Sequence, residues 1–523
     1  MEDNRKVIGV NAVVASARNE ASQIGIDILK KGGNAVDAAV ATGFALGVCE
    51  PSASGIGGGG FMMIKNCSLK EPVLIDFREV APRAASADMY KVNSDGSIVD
   101  EENSIGGKSV GVPGEIKGLI YALENYGTMS LREIIEPSIK LAEEGFIVTE
   151  MMYNHFFERP LKTDSYYKNL QKGQTYRNPH LAKTLSLISR EGANAFYDGE
   201  IADKIINEVD KYNGIITKED LADFKVCIKK PVTGEYRGYK IYSCPLPSSG
   251  GTHIIQLLNI LENFDISGFK VNSAEYIHLF SEAMKITYSD RAKYMADDRF
   301  YDVPVAGLTS KEYAKEIANK IDLNNSVKID GFNPWNYEHS DTTHYSVGDK
   351  YNNLVAVTKT INHFCGSRII PQGTGFILND TMADFSTDKY SINSPYPLKK
   401  PLSTMSPTII MKDDKPFACL GSPGGEKIIC IVAQVISKLI DHKMDIAEAI
   451  ASPRFSDNLE NMVMYENRIS HNSIQEVEKM GHTTAKVLDY DIKMGGVQGI
   501  VYLNDGKIEG SADPRRDGKA IGY

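Results

Sequence analysis

The sequence has no concentrated run of Lys and Arg: 58 basic residues face 68 acidic ones, for a net charge of -10. Binding to a phosphate backbone needs a local excess of positive charge, so nucleic acid is excluded as the expected partner. No apolar stretch reaches the roughly 20 residues that a bilayer crossing requires. The most apolar one, residues 35–48, contains Asp37 and reads as a buried helix rather than a membrane anchor. Residues 1–11 mix charges of both signs with no apolar core behind them, which is not the layout of a signal peptide, so a cytoplasmic location is expected. The cysteines, Cys49, Cys67, Cys227, Cys244, Cys365, Cys419 and Cys430, are odd in number and include no CxxC pair. That pattern disfavours a disulfide framework and a thiolate metal site, and leaves buried thiols as the expectation, with a nucleophilic thiol as the alternative. Gly107, Lys108 and Ser109 look like the end of a phosphate-binding loop, but the earlier glycine position holds Glu102.

What is present is a chain able to bury a large core, with 42% hydrophobic and 24% charged residues in 523. Residues 20–31 carry Ile24 and Ile28 on one helical face and stop at Gly32 and Gly33, after which Asn34 caps a second, Ala-rich helix to Val48. Residues 131–144, 179–191 and 273–295 also read as helices, so the first two thirds are expected to be mainly helical, with short strands such as 73–76. Residues 321–341 are polar and aperiodic and form the best linker candidate. Strand-like runs follow at 344–347, 354–361, 408–412, 417–420 and 499–503, with a helix at 427–439 among them. A layered sheet-and-helix fold is expected, not a bundle.

Two glycine clusters stand out. Gly55 and Gly57 to Gly60 read as a tight turn or a close backbone approach, since no Lys-Ser or Lys-Thr follows in the place a phosphate loop needs. Gly421, Ser422, Pro423, Gly424 and Gly425 lie between a strand and a helix, where backbone N–H groups can receive an anion or an oxyanion. Asp341, Thr342 and Thr343 join the linker to a strand. A chain cut there would leave an N-terminal Thr, whose hydroxyl is a nucleophile and whose α-amine, with a pKa of about 7.7 to 8.0, is a base. An ordinary strand threonine is the alternative reading.

The segments Asp341 to Val347, LVAVTKTIN from Leu354, GTGFILNDTMAD from Gly373, PLSTMSPT from Pro401 and GSPGG from Gly421 resemble the γ-glutamyltransferase family of N-terminal-nucleophile hydrolases. So do ILKKGGNAVDAAVA, EPSASGIGGGGFM, DFREVAP, GVPG and ADPRRDGKA, in the same order and over nearly the whole chain. The resemblance implies an α+β, four-layer αββα sandwich built jointly by a large chain, residues 1–341, and a small chain, residues 342–523, released from one precursor by cleavage between Asp341 and Thr342. Thr342 matches the nucleophile, Thr360 the threonine that orients it, and Gly424 and Gly425 the oxyanion-hole glycines. Arg78 matches the arginine for the substrate α-carboxylate, with Ser403 and Thr404 assisting, although beside Glu79 alone it reads as a surface ion pair. Asn362 and Asp384 match the groups that receive the α-ammonium, and Thr381 stands where a third ammonium partner, Gln or Glu, is usual. The implied substrate is a γ-glutamyl compound such as glutathione, with an amine or water as acceptor, and no metal or organic cofactor is called for.

In three places the sequence departs from the family pattern. Thr381 reaches less far than Gln or Glu, Thr404 replaces a serine, and Cys365 stands where an aromatic residue is usual. The stretch between Asp384 and Ser403 looks too short for a lid, which implies an open cleft and keeps poly-γ-glutamate as an alternative substrate. Within the same fold, a cephalosporin-acylase-like amidase is a rival expectation. An unprocessed, non-catalytic γ-glutamyl-binding protein is the rival from a different class.

Overall fold

Along successive strands the apolar residues alternate between two different cores, and this alternation sets the architecture. In Gly59–Lys65, Phe61 and Met63 enter one core while Met62 and Ile64 enter another. In Leu354–Thr360, Leu354 and Ala356 part from Val355 and Val357 in the same way. Phe61, Met63, Leu354 and Ala356 meet Ile409, Cys419 and Ile500 in a layer between two sheets. Their neighbours pack instead under the helices Asn19–Lys30, Ala35–Cys49 and Glu115–Tyr126.

The first sheet runs Lys6–Gly9, Ile508–Ala512, Gln498–Tyr502, Lys415–Gly421, Thr408–Lys412, Tyr239–Ser243, Val232–Tyr236. The second runs Lys519–Gly522, Ala12–Ser16, Thr343–Asp349, Leu354–Thr360, Gly59–Lys65, Val73–Asp76, Cys227–Lys229. All neighbours in both are antiparallel. Helices Gly250–Leu261, Ala274–Tyr294 and Ile428–Ile440 cover the outer face of the first sheet. The result is the αββα sandwich. Strands from both sides of residue 342 are interleaved in each sheet, so the parts before and after it share the same cores.

These features come from a computed structural model that describes residues 5–94, 96–162, 167, 169–327, 342–457 and 462–523. Most of the expected linker, including Asp341 of the expected cleavage site, lies outside the described residues. Helices begin where their caps require. The Asn34 side chain accepts from the backbone N–H of Val36 and Asp37 and starts Ala35–Cys49, and Ser130 with Glu133 forms a capping box ahead of Leu131–Glu144. The portion before residue 321 holds more strand than expected, notably Gly59–Lys65, Val232–Tyr236 and Tyr239–Ser243. Gly59–Lys65 is buried on both faces except at Lys65, so it shows no alternation of polar and apolar residues to read. Among the described residues no helix is long and apolar enough to cross a membrane, and no cysteine is paired.

The first glycine cluster is a close backbone approach. A Cβ on Gly58 would lie 1.9 Å from the carbonyl oxygen of Thr360, and one on Gly60 2.4 Å from that of Thr358. Both contacts are with backbone, which has no flexible end to move aside. Gly58→Ala should therefore lower stability by about 1–3 kcal/mol or more and displace Thr360. Thermal unfolding of the variant checks this, and an unchanged midpoint would show that the strands can part without cost.

Candidate functional site

Strands of the second sheet end together at one edge of the sandwich, and their register brings the candidate residues into line. Thr343 pairs with Lys359, Lys359 with Gly60, and Gly60 exchanges backbone hydrogen bonds with Phe77. Thr342, Thr360 and Arg78 each lie one residue further along, on adjacent or next-adjacent strands. Strand side chains alternate, so Thr342 and Thr360 share the inter-sheet face with His344, Ser346 and Thr358. His344 Nδ1 hydrogen-bonds Thr358 Oγ1 at 2.8 Å, and Ser346 donates across to the Gln498 carbonyl at 3.1 Å. The inter-sheet layer is thus apolar around Leu354 and Ala356 and polar where it reaches the edge.

Thr342 Oγ1 stands 3.5 Å from Thr360 Oγ1, and Thr360 Oγ1 accepts the Asn362 N–H at 2.8 Å. Asn362 turns the chain back with φ of 74°, a left-handed conformation that asparagine tolerates better than most residues. Its side-chain amide donates to the Asp380 carbonyl at 3.2 Å.

Arg78 is 1% exposed, pairs closely with Asp384 and lies 3.4 Å from Glu79 Oε2. The pair with Glu79 is therefore real, but it is buried rather than superficial. Burial pushes the Glu79 carboxyl up to about 7, against the pull of Arg78. The Thr381 hydroxyl donates to Glu79 Oε1 at 2.9 Å, so this fully buried threonine stands behind the Arg78 cluster. Arg78 Nε and Asn362 Oδ1 are buried and have no hydrogen-bond partner among the described residues.

Thr342, Thr360, Arg78, Asn362 and Asp384 line one pocket, and Ser403 and Thr404 line it from the side of the first sheet. Ser403 Oγ accepts from the Met405 N–H at 3.1 Å, which leaves its own O–H to donate. The Thr404 hydroxyl donates to the Gly425 carbonyl at 2.9 Å, tying this loop to the second glycine cluster. Gly424 and Gly425 take φ of 135° and 57°, conformations open to glycine, in the turn between Lys415–Gly421 and Ile428–Ile440.

The model of the γ-glutamyltranspeptidase family matches residues 21–523. The chain belongs to that family. Its members are N-terminal-nucleophile hydrolases and transferases. The chain is 41% identical over 541 residues to the glutathione hydrolase proenzyme of Escherichia coli (strain K12), covering 98% of this chain and 92% of that protein. Identity to the protein of the same name from Bacillus subtilis (strain 168) is 39% over 542 residues, again covering 98% and 92%. Among solved structures, a cephalosporin acylase from Bacillus halodurans matches with a TM-score of 0.89 at 27% identity, covering 100% of this chain and 98% of that one.

Two further residues of this γ-glutamyltranspeptidase pocket lie outside the sequence motifs. Arg291, on Ala274–Tyr294, and Glu426, just after Gly425, line the same pocket, joined at 2.9 Å. Arg291 Nε also donates to Ser249 Oγ at 3.0 Å, and Ser249 Oγ donates to the Ser403 carbonyl at 2.9 Å. Arg291 sits in a long helix with no local motif, but Glu426 directly follows the Gly-Gly pair, and that adjacency is a usable signal.

A separate group, His278, Glu282 and His482, is close enough to share a cation. However, the two rings hydrogen-bond each other directly at 2.7 Å, and the Lys285 ammonium already holds Glu282 Oε1 at 2.6 Å. The atoms that face one another are thus already engaged, while His482 Nδ1, 3.7 Å from Asp457, has no hydrogen-bond partner among the described residues.

Two residues beyond Thr342, burial depresses the His344 pKa to about 3 from the ordinary 6.5. Between those two values the unfolded chain binds a proton that the folded chain does not. The resulting stabilisation is present above pH 6.5 and is lost as pH falls toward 3. Denaturant midpoints at pH 7.5 and pH 5 should therefore differ less in His344→Gln than in the parent chain. Equal differences would show that His344 carries no part of the acid sensitivity.

Proposed function

We propose that this γ-glutamyltranspeptidase-family chain is a proenzyme that cuts itself between Asp341 and Thr342. It then cleaves γ-glutamyl amides, glutathione among them, through a γ-glutamyl ester on Thr342. The observation that carries the reading is the pair of buried atoms without partners, Arg78 Nε, a donor, and Asn362 Oδ1, an acceptor, in the pocket that also contains Thr342. A free amino-acid head group brings one carboxylate and one ammonium, and so supplies what each atom lacks. Its carboxylate fits the Arg78 fork, with Ser403 O–H beside it, and its ammonium fits Asp384 and Asn362. Thr381 supports Glu79 rather than touching the head group, and Thr404 secures the glycine turn.

In maturation, the Thr342 hydroxyl attacks the Asp341 carbonyl, the acyl group shifts from nitrogen to oxygen, and water hydrolyses the ester. Residues 1–341 and 342–523 then remain as two chains of one sandwich. In turnover, the new α-amine takes the hydroxyl proton as Thr342 attacks the γ-carbonyl. The backbone N–H groups of Gly424 and Gly425 receive the oxyanion, a role in which losing one donor typically costs about 2.7–4 kcal/mol. The departing amine leaves protonated, and water or an amine acceptor releases the γ-glutamyl group. The 3.5 Å contact of Thr342 with Thr360 is loose for a hydrogen bond, as catalytic contacts often are before substrate binds. Nucleophile, base and oxyanion donors are all protein groups in this scheme, so it calls for no metal.

The likeness to a cephalosporin acylase makes a simple acyl amide the second reading, but such an acyl chain has no charge to satisfy Asn362 Oδ1 and Asp384. Intact mass under denaturing conditions tests the first step. The parent chain should separate into two chains divided before Thr342 and Thr342→Ala should stay whole, whereas a normally divided Thr342→Ala would place the nucleophile elsewhere. For the head group, Arg78→Ala should reduce kcat/KM on a γ-glutamyl anilide by about 2–4 kcal/mol of transition-state binding, with self-cleavage retained. Unaltered kinetics would remove Arg78 from substrate recognition.

A further inference from the structure

The charges lining the pocket fall into two sets. Arg78 and Asp384 form one, with Asn362 beside them, and Arg291 and Glu426 form the other. On the reading proposed above, the first set takes the α-carboxylate and α-ammonium. These groups lie at one end of the glutamyl unit, and the departing amine is attached at the other. The leaving group must therefore face a wall that the head group does not use. With Ser403 assigned to the carboxylate and the Thr404 hydroxyl tied to Gly425, the lining that remains is the apolar Leu402 and Met405 together with Arg291 and Glu426.

The carboxylate is the more exposed partner of this pair. The Arg291 side chain is 5% exposed and is held from behind by Ser249 Oγ at 3.0 Å, whereas the Glu426 side chain is 13% exposed. Glu426 also directly follows Gly425, whose carbonyl accepts the Thr404 hydroxyl, so its position is tied to the turn expected to hold the oxyanion. The Glu426 carbonyl accepts the Tyr288 hydroxyl at 2.8 Å, which fixes the backbone there as well.

We infer that Glu426 is a specificity-determining residue. It places a fixed negative charge beside the leaving group and selects neutral or cationic amines over acidic ones, both as leaving groups and as acceptors. This inference rests on the γ-glutamyl reading and deepens it. It also opposes poly-γ-glutamate as a preferred donor, because each leaving group of that polymer carries a carboxylate on the carbon bearing the scissile nitrogen, whereas in glutathione that carboxyl is amide-bonded and the free carboxylate lies one residue further off.

The test uses two chromogenic donors that differ by one charge, γ-glutamyl-4-nitroanilide and γ-glutamyl-3-carboxy-4-nitroanilide, on the mature two-chain enzyme. The ratio of their kcat/KM values is compared between the parent and Glu426→Gln, which keeps an oxygen to accept from Arg291. The parent should favour the uncharged anilide by on the order of tenfold, the scale of one charge felt across a partly wetted site. Added salt should narrow that preference. Glu426→Gln should bring the ratio toward one.

A ratio that is the same in parent and variant overturns the assignment. So does a Glu426→Gln chain that stays uncut, since Glu426 would then serve maturation rather than selection. Failure of both enzymes to cleave either anilide, with processing intact, would instead overturn the γ-glutamyl reading itself. The two failures are therefore distinguishable.

Discussion

The site depends on the register that sets Thr343 opposite Lys359. Side chains on a strand alternate with a period of two, so a slip by one residue would turn Thr342 away from the other sheet and into the helix-covered core. Several features resist that slip. Tyr345, Val347, Val355 and Val357 all enter the helix-side core, while Leu354 and Ala356 enter the layer between sheets. His344 and Thr358, directly opposed in the ladder, hydrogen-bond through their side chains at 2.8 Å. Gly421 of the other sheet leaves room for the imidazole, since a Cβ there would lie 2.4 Å from it. A slip would forfeit the apolar sorting, the polar pair and this fit together.

The same edge gathers charges that stability alone does not explain. A buried ion pair loses most of its Coulombic gain to desolvation, so Arg78 with Asp384 and Arg291 with Glu426 contribute little net folding energy. Arg78 has two carboxylate neighbours, and burial raises both carboxyls above their ordinary values, Glu79 to about 7, while Arg78 pulls each of them back. Of the two, Asp384 is the one that pairs closely with Arg78 and lines the pocket beside it. A ligand with a charge of each sign can enter such a pair without leaving either partner uncompensated. A ligand bearing only a carboxylate would take Arg78 from Asp384 and strand that carboxylate. A zwitterionic head group is therefore the ligand that the proposed reading expects this pair to accept.

How much of this is legible in the sequence depends on how local the cause is. Leu131–Glu144 and Pro179–Glu191 begin and end where the sequence places them, because their caps and periods are written within a few residues. Thr408–Lys412 is equally clear. Gly59–Lys65 reads only as a glycine cluster, because the reason for its glycines, the carbonyls of Thr358 and Thr360, lies some three hundred residues away. The motif residues Thr342, Thr360, Arg78, Asn362, Asp384, Ser403 and Thr404 meet in one pocket. Thr381 does not line it, because its hydroxyl is directed to Glu79 by the fold of the short turn Thr381–Asp384. Arg291 enters through the packing of a helix over the first sheet, which no spacing rule encodes.

The architecture also bears on how a chain can be cut and still work. Thr343–Asp349 is held on one side by Ala12–Ser16, through pairs from Ser346 with Ala15 to Asp349 with Ala12, and on the other by Leu354–Thr360. A strand anchored along both edges keeps its first residue in place without the peptide bond that precedes it. Each sheet interleaves strands from both sides of that bond, so separating the two parts would expose the inter-sheet layer and both helix-covered cores at once. At about 25 cal/mol per Å² of apolar surface, that exposure far exceeds what one lost covalent tether contributes through chain entropy. A cut before Thr342 would therefore free an amine and a hydroxyl at the edge of the sandwich while leaving the register that aims them unchanged.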